Sequence, residues 1–344
     1  MGGGGGSGGQ PGAAGANGGE AAGNGGANNA GAAGAIPVQG GSPGAGGSSG
    51  GVTGTGGTKP EPPPLGQPVF LAVGYGGHRT RSLDGVRWRD HVIDDPKGGD
   101  DKNLLRGAGW GDGVFVAVGD RIVTSPDGAT WTKRALTPAS FLNGVAFGNG
   151  VWVAAGGNGL RLRSNDNAVN WEVRVPYMAG HFRGLAFGNG RFVAVGHRDN
   201  AGMTSVSSNG TDWSAPTVAG SRLGRLAFGN GVFVSVGDGG RVAVSVDGDK
   251  WTDQKLGTAD RMMITFGNGL FVTTESDGFS TSPDGKVWTR VKSTGAFSTF
   301  AGANGQWVGA QYPARMHHGT DLAKLAFGEA MAPDFAQIIV GYIR

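Results

Sequence analysis

The 344-residue chain contains no cysteine. Disulfides, thiolate metal sites and thiol nucleophiles are thereby excluded. No run of 18 or more apolar residues occurs, so no membrane-spanning helix is predicted. Glutamate and tyrosine are scarce: beyond residue 66 glutamate stands only at Glu172, Glu275 and Glu329, and tyrosine only at Tyr75, Tyr177, Tyr312 and Tyr342. Residues 1–66 almost wholly lack large apolar side chains, and their only charged residues are Glu20, Lys59 and Glu61. Such a segment cannot bury enough apolar surface to offset the entropy of ordering. It is expected to be a disordered Gly/Ala/Asn/Pro-rich tether, stiffer over Lys59–Pro64 where proline favours an extended backbone.

Residues 67–344 carry nearly all the Trp, Phe, Val and Arg, and are long enough for one domain with a continuous core. The net charge of +3 and pI near 9.3 are a mild basic excess, short of the clustered pattern of a nucleic-acid binder. The glycine-rich stretches precede strands or lie in the tail, so they do not form a phosphate-cradling loop.

What is present is a phrase written six times, 37 to 43 residues apart. It runs Ser82–Trp88, Ser125–Trp131, a stretched copy Ser164–Trp171, Ser207–Trp213, Ser245–Trp251 and Ser282–Trp288. A fixed period of this length marks a repeat architecture. Within one repeat, Leu226–Phe228 and Val232–Val236 flank Gly229-Asn230-Gly231, and Asn-Gly between apolar runs predicts a tight hairpin. Arg241–Ser245 reads as a third strand, Asp247-Gly248 as a second turn, and Lys250–Thr252 as the start of a fourth strand. The first turn recurs at Asp112, Asn149, Asn189, Asn268 and Asn304, each followed by glycine. A four-stranded sheet cannot cover both its faces alone; packing such sheets radially does so.

Six units carry the tryptophan phrase. A seventh spans about Phe297 to Asp321, with Leu325 near the tryptophan position. The first unit lacks its first strand, since Val69–Val73 matches the second strand of the others. The apolar segment Phe335–Tyr342 is left over and is predicted to fill that inner place. Closure of this kind removes open sheet edges. The expected fold is all-β: a seven-bladed β-propeller over 67–344 with N- to C-terminal strand closure, preceded by the disordered Gly-rich tail.

The repeated phrase resembles the Asp-box of BNR-repeat propellers, the group that includes sialidases and photosystem II assembly-factor propellers. Five copies are one residue shorter between Asp and Trp than the full Ser-x-Asp-x-Gly-x-Thr-Trp pattern. The Ser164 copy keeps the length but lacks the glycine. The resemblance implies that the acidic or amide residue caps the turn between the third and fourth strands and that the tryptophan packs between blades. Asp84, Trp88, Asp127, Trp131, Asp166, Trp171, Asn209, Trp213, Asp247, Trp251, Asp284 and Trp288 are therefore assigned structural roles, as their turn-forming and space-filling chemistry also implies. The tether resembles the spacer that follows the lipid-bearing cysteine in bacterial surface lipoproteins. Met1 runs straight into glycines, and the expectation is an anchor or signal upstream of the given start and an extracytoplasmic location.

Both tight turns fall at one end of the strands, so the longer loops collect on the other face, where function commonly lies. Candidate ligand residues there are His78, Arg79, Arg106, Arg183, His197, Arg198, Arg225, Tyr312 and Arg315, with Arg222 and Arg261 in neighbouring inter-blade loops. His78-Arg79 and His197-Arg198 are read as equivalent pairs in two blades. Several arginines just precede the innermost strand and are expected to ring the mouth of the central channel. Guanidinium groups make bidentate, charge-assisted bonds to carboxylate, sulfate or phosphate. The competing expectation is that Asp120, Asp199, Asp238, Asp260 and Asp277 neutralise them.

No catalytic set stands out. A sialidase-like site requires an arginine trio, a Tyr/Glu nucleophile pair and a general acid, and the Arg-Ile-Pro signature is absent. A paired-carboxylate glycosidase would draw on Asp199, Asp277 or Glu275, which nothing selects. The acidic loop Asp94–Asn103 lacks EF-hand spacing, and His317-His318 lacks zinc partners, so no metal or cofactor is expected. The reading is a non-catalytic binding or assembly propeller for an anionic glycan or protein segment. A propeller-fold glycoside hydrolase or polysaccharide lyase is the alternative, and a structural subunit of a surface complex is a third role.

Overall fold

The computed structural model describes residues 66–344 apart from 97–102, 137–139, 176–178, 262, 276–277, 294–295, 313–314, 332–333 and 344. The tether expected for 1–66 thus lies outside the described residues, save Gly66. Among the described residues the chain forms seven four-stranded antiparallel sheets. The innermost strands of blades 2 to 7 are Leu105–Gly111, Leu142–Gly148, His181–Gly188, Leu223–Gly229, Ile264–Gly267 and Phe297–Ala303. Blade 1 takes its innermost strand from the C-terminal end: Phe335–Ile343 pairs antiparallel along the whole of Gln67–Gly74. Each innermost strand touches the next around the ring, and Phe335–Ile343 lies between blades 7 and 2. The seven-bladed propeller and its closure are as the sequence predicts.

The hairpin turns explain why the blades are so regular. Asp112, Asn149, Asn189, Asn230, Asn268 and Asn304 all have φ between 45° and 51°, and each is followed by a glycine with φ between 72° and 79°. Two left-handed residues in succession make the turn whose twist matches the strands it joins. In blades 2 to 5 the glycine before the turn has a packing reason: a Cβ on Gly148, for example, would lie 2.1 Å from the Phe187 ring of the following blade. The ring is seated where a side chain would have stood.

The core is divided into seven wedges, one between each pair of blades. Val69, Leu71, Val73 and Ile339 of blade 1 pack on Leu105, Ala108 and Phe115 of blade 2. Trp131 completes this wedge, Trp171 the one between blades 2 and 3, Trp213 the next, then Trp251 and Trp288. Every one of these tryptophans plugs the seam with the preceding blade. Trp88 does the same between blades 7 and 1. Leu322 and Leu325 take that place for blade 7.

The turn beneath each tryptophan is built alike. Ser125 Oγ accepts from Gly128 N at 2.7 Å, and Asp127 Oδ1 accepts from Ala129 N and Thr130 N at 2.8 Å. Trp131 Nε1 donates to Gly128 O at 3.2 Å. Asp84, Asn209, Asp247 and Asp284 accept the same pair of backbone N–H groups. In the stretched copy Asp166 Oδ1 accepts from Asn170 N, and Asn167 and Ala168 take the left-handed backbone. Trp88 differs: it is buried and its Nε1 makes no hydrogen bond among the described residues.

Candidate functional site

Five of the innermost strands carry the same irregularity at their channel-mouth ends. Pairing with the second strand slips by one residue between Leu105 and Gly107, Leu142 and Gly144, Phe182 and Gly184, Leu223 and Arg225, and Phe297 and Thr299. A bulge of this kind re-aims the extra residue. That residue is Arg106, Asn143, Arg183, Gly224 and Ser298 in turn. The arginines expected just before the innermost strand therefore belong to it. The order reverses once: Leu105-Arg106-Gly107 and Phe182-Arg183-Gly184 become Leu223-Gly224-Arg225. Arg225 consequently stands one residue beyond the bulge and crosses to blade 4, donating from Nη1 to Arg183 O at 2.6 Å.

Similar crossings seal the channel wall. Asn143 Nδ2 donates to Phe182 O at 2.7 Å, and Ala108 N to Gln337 Oε1 at 2.7 Å. Ile338 N donates to Thr299 Oγ1 at 3.0 Å. The last two tie the closing strand to both of its neighbours.

A cavity of about 240 Å³ opens at the mouth between blades 4, 5 and 6. Arg183 and His197 line it from blade 4, Arg222, Leu223, Gly224, Arg225 and Asp238 from blade 5, and Asp260 and Arg261 from the approach to blade 6. Some of its charges are spoken for. Arg261 pairs with Glu275 at 3.0 Å, and Arg222 donates to Asp199 O and Asn200 Oδ1, with Asp238 at 3.9 Å. Asp260 Oδ1 accepts from Gly239 N at 2.7 Å. Arg106, nearby on blade 2, lies 3.8 Å from Asp120.

Arg183 and Arg225 are not neutralised. The Arg183 side chain, half-buried, makes no ion pair or hydrogen bond among the described residues. Arg225 is 3% exposed, and its only hydrogen-bond acceptor among the described residues is a carbonyl. Burial, then Arg183 and Arg106, push its guanidinium down to about 9, so it remains charged at neutral pH. Burial, Arg222 and Arg106 lower Arg183 as well, against the pull of Asp238, which raises it without forming an ion pair. An uncompensated buried cation is costly, and an anion brought to it removes that cost. Asp238 is raised instead, by burial and by Asp260.

His197 shares this electrostatic setting. Burial, Arg183, Arg222 and His181 together hold its imidazole down to about 4. Nδ1 lies 3.2 Å from Asp199 O, and since a carbonyl can only accept, Nδ1 carries the proton. Nε2 is then a lone-pair nitrogen, inaccessible to solvent and without a partner.

The other sequence candidates do not join this group. His78 and Arg79 are 1% and 4% exposed. Arg79 is clamped by Asp94 at 2.5 and 3.0 Å and lies over Trp131, and His78 packs on Phe335 and approaches His91. Nor are His78 and His197 equivalent. Gly74 and Gly196 match, each closing the second strand against the innermost strand, where a Cβ would meet a carbonyl oxygen at 2.1 and 1.9 Å. The counterpart of His197 is Tyr75. Arg198, partly exposed, donates to Ala179 O. Tyr312, 76% exposed, and Arg315 stand on blade 7. Of the acidic loop, Asp94 bridges Arg79 and Arg121, whereas Asp100 and Asp101 lie outside the described residues, as does Asp277. Asp238 and Asp260, expected as neutralising partners, line the cavity without closing it.

Fold and site together define a seven-bladed β-propeller with a cationic cavity at one mouth of its channel. No protein-family model matches this chain, and no curated protein matches it. Solved propellers do. The structure of YCF48 bound to D1 peptide superposes with a TM-score of 0.52 at 16% identity, covering 82% of this chain and 93% of that one. The nidogen/laminin complex gives 0.50 at 10%, over 80% and 98%. Virginiamycin B lyase from Staphylococcus aureus gives 0.55 at 12%, over 66% and 85%. At these identities the likeness is one of fold.

Proposed function

We propose that this chain is a non-catalytic binding or assembly propeller that works outside the cytoplasm and grips an acidic protein segment at the cationic mouth. One observation carries the reading: Arg183 and Arg225 are half-buried and buried cations that form no ion pair with a carboxylate among the described residues, at the mouth of the channel. Acidic side chains supply the missing charge, and guanidinium favours planar oxyanions. Two of the similar folds are described with a peptide or a protein partner, which supports a protein ligand over a small metabolite. An extracytoplasmic site rests on the spacer-like composition of residues 1–66.

The test is binding of acidic peptide and heparin-like arrays by the full chain. Acidic peptides are expected to bind with a strong salt dependence, and the double substitution Arg183→Ala/Arg222→Ala to weaken them by about tenfold or more. Binding unchanged by that substitution sinks the reading. Preference for the glycans names an acidic polysaccharide as the partner instead. Turnover of glycosides or polyuronates that His197→Ala abolishes makes the chain an enzyme.

A further inference from the structure

Resting on that reading, we propose that the cavity between blades 4, 5 and 6 is a site for a single compact oxyanion, which enters together with a proton taken up on His197 Nε2. The oxyanion is a carboxylate or a sulfate-like group, either free or borne on the end of a partner's side chain. Arg183 and Arg225 supply the charge, and His197 takes up the proton that the anion's charge favours.

The geometry argues for the coupling. Nδ1–H of His197 is committed to Asp199 O, which leaves Nε2 as the ring atom that can take a proton, and the ring lines the same cavity as Arg183, Arg222 and Arg225. A proton taken up on Nε2 leaves the bond to Asp199 in place. No bond other than N–H forms, and no electrons are exchanged.

The charged surroundings keep the proton away until an anion arrives. From the innermost strand of blade 4 come Arg183 and His181, whose ring centroid is 5.5 Å from that of His197. His181 Nδ1 accepts the backbone N–H of Asn158 and is itself held neutral, by burial and by Arg183. The strand of His197 adds Arg198 and leads into Asp199. Blade 5 adds Arg222, Arg225 and Asp238, and the approach to blade 6 adds Asp260 and Arg261. An oxyanion among these groups offsets Arg183 and Arg222, the very charges that depress His197. By linkage, what favours the proton in the bound state must favour the anion in the protonated state. Affinity therefore rises as pH falls from neutrality toward the free-protein midpoint of about 4.

Sulfate is the main probe because its charge does not change between pH 5 and 8. Its dissociation constant is measured calorimetrically with the full chain at constant ionic strength, while the His197 ring resonances are titrated with and without it. The expected result is about tenfold tighter binding at pH 5 than at pH 8, and a His197 midpoint raised by about two units on addition of sulfate. Acetate, used above pH 5.5, is the carboxylate arm. Binding of either anion with the shift supports the proposal, and the tighter of the two names the group.

His197→Gln is expected to bind sulfate with one constant across this range. Asp238 also titrates in the cavity, so Asp238→Asn is the companion variant. A pH dependence that survives His197→Gln and disappears in Asp238→Asn overturns the proposal, because the proton then belongs to Asp238. An unmoved His197 midpoint, or no binding of either anion, overturns it too. Acidic peptides that still bind through Arg183 and Arg222, equally well at pH 5 and 8, would leave the broader reading standing and remove this one.

Discussion

A single aspartate, or Asn209 in the fourth copy, holds the backbone N–H groups of each tryptophan turn that the sheet ladder leaves unused. Asp247 is representative: Asp249 N and Lys250 N lie 2.9 Å from its Oδ1. Replacing it with alanine removes both bonds at a partly solvated turn. Asp247→Ala is expected to lower stability by about 1–2 kcal/mol, read as a lower urea midpoint with an unchanged m-value. The same bonds make the turns acid-sensitive. Burial by itself raises Asp84, Asp127 and Asp166, but the N–H donors and the serine hydroxyl outweigh it and hold each below the ordinary 3.8, Asp166 at about 2. For Asp247 and Asp284 the backbone donors are the largest influence. These carboxylates stay ionised in the fold at a pH where the unfolded chain already binds protons. Their stabilisation is full above about pH 4 and is lost as pH falls through each folded value. Thermal melts between pH 6 and pH 2 are expected to show the decline concentrated below pH 4, and a shallower decline in Asp247→Ala. An equally steep decline in that variant would contradict the assignment.

At the scale of the blade, neighbours are stapled on the turn face by the asparagine of the first hairpin. Asn189 Nδ2 reaches Gly231 O and Val246 O of the next blade, both at 2.9 Å. Asn149 and Asn230 make the same pair of bonds, at 2.8 to 3.3 Å. Blade 2 has Asp112 at this position, which cannot donate. The staple there runs backward, from Asn167 Nδ2 of blade 3 to Asp112 O at 3.3 Å, and Asn167 belongs to the stretched turn. The odd turn and the odd hairpin thus compensate each other across one seam. Asn189→Asp places a carboxylate against two carbonyl oxygens and is expected to cost about 1–3 kcal/mol, whereas Asn304→Asp, whose amide makes no such bond among the described residues, is expected to cost less than about 1 kcal/mol. Equal losses in chemical denaturation would refute the staple.

Elements of this kind were legible because local chemistry decides them: Asn-Gly and Asp-Gly fix the turns, and the turns fix the strands. The cavity was legible only in part. Arg183 and Arg225 could be placed near the mouth from their position beside the innermost strand, and His197 from the loop expected after the second strand. The burial of His78 could not be foreseen, because it follows from Phe335, more than 250 residues away, packing on its ring. Arg79 turned inward for a similarly non-local reason, since its clamp depends on how Asp94 folds back. The reversed order Gly224-Arg225 was visible in the chain, but its consequence, a guanidinium crossing to the preceding blade, appears only when the two bulged strands lie side by side.

For the whole molecule, stability depends on a seam between the two ends of the folded chain. Phe335–Ile343 pairs with Gln67–Gly74, packs Phe335, Ile338 and Val340 into the wedge with blade 7, and packs Ile339 into the wedge with blade 2. Removing it would expose both wedges, strip the inner edge of Gln67–Gly74, and leave Thr299 and Ala108 without the bonds from Ile338 and Gln337. Three fully or nearly buried aliphatic side chains and one phenylalanine are lost together, each worth about 1.5–3 kcal/mol of burial. That sum is comparable to the entire net stability of a typical domain. A chain ending at Asp334 is therefore expected to be largely unfolded or aggregated at 25 °C, the exposed strand edge offering a template for pairing with other chains. The same segment supplied as a separate peptide should restore a cooperative melt, because the groove it fills is the missing inner place of an otherwise formed blade. A truncated chain that melts as the full one does, with or without the peptide, would mean that the ring is not closed through this strand. Gln337→Ala is the finer probe: it keeps the strand but deletes one of its two side-chain ties, and should lower the melting temperature by a few degrees while leaving the transition a single cooperative step.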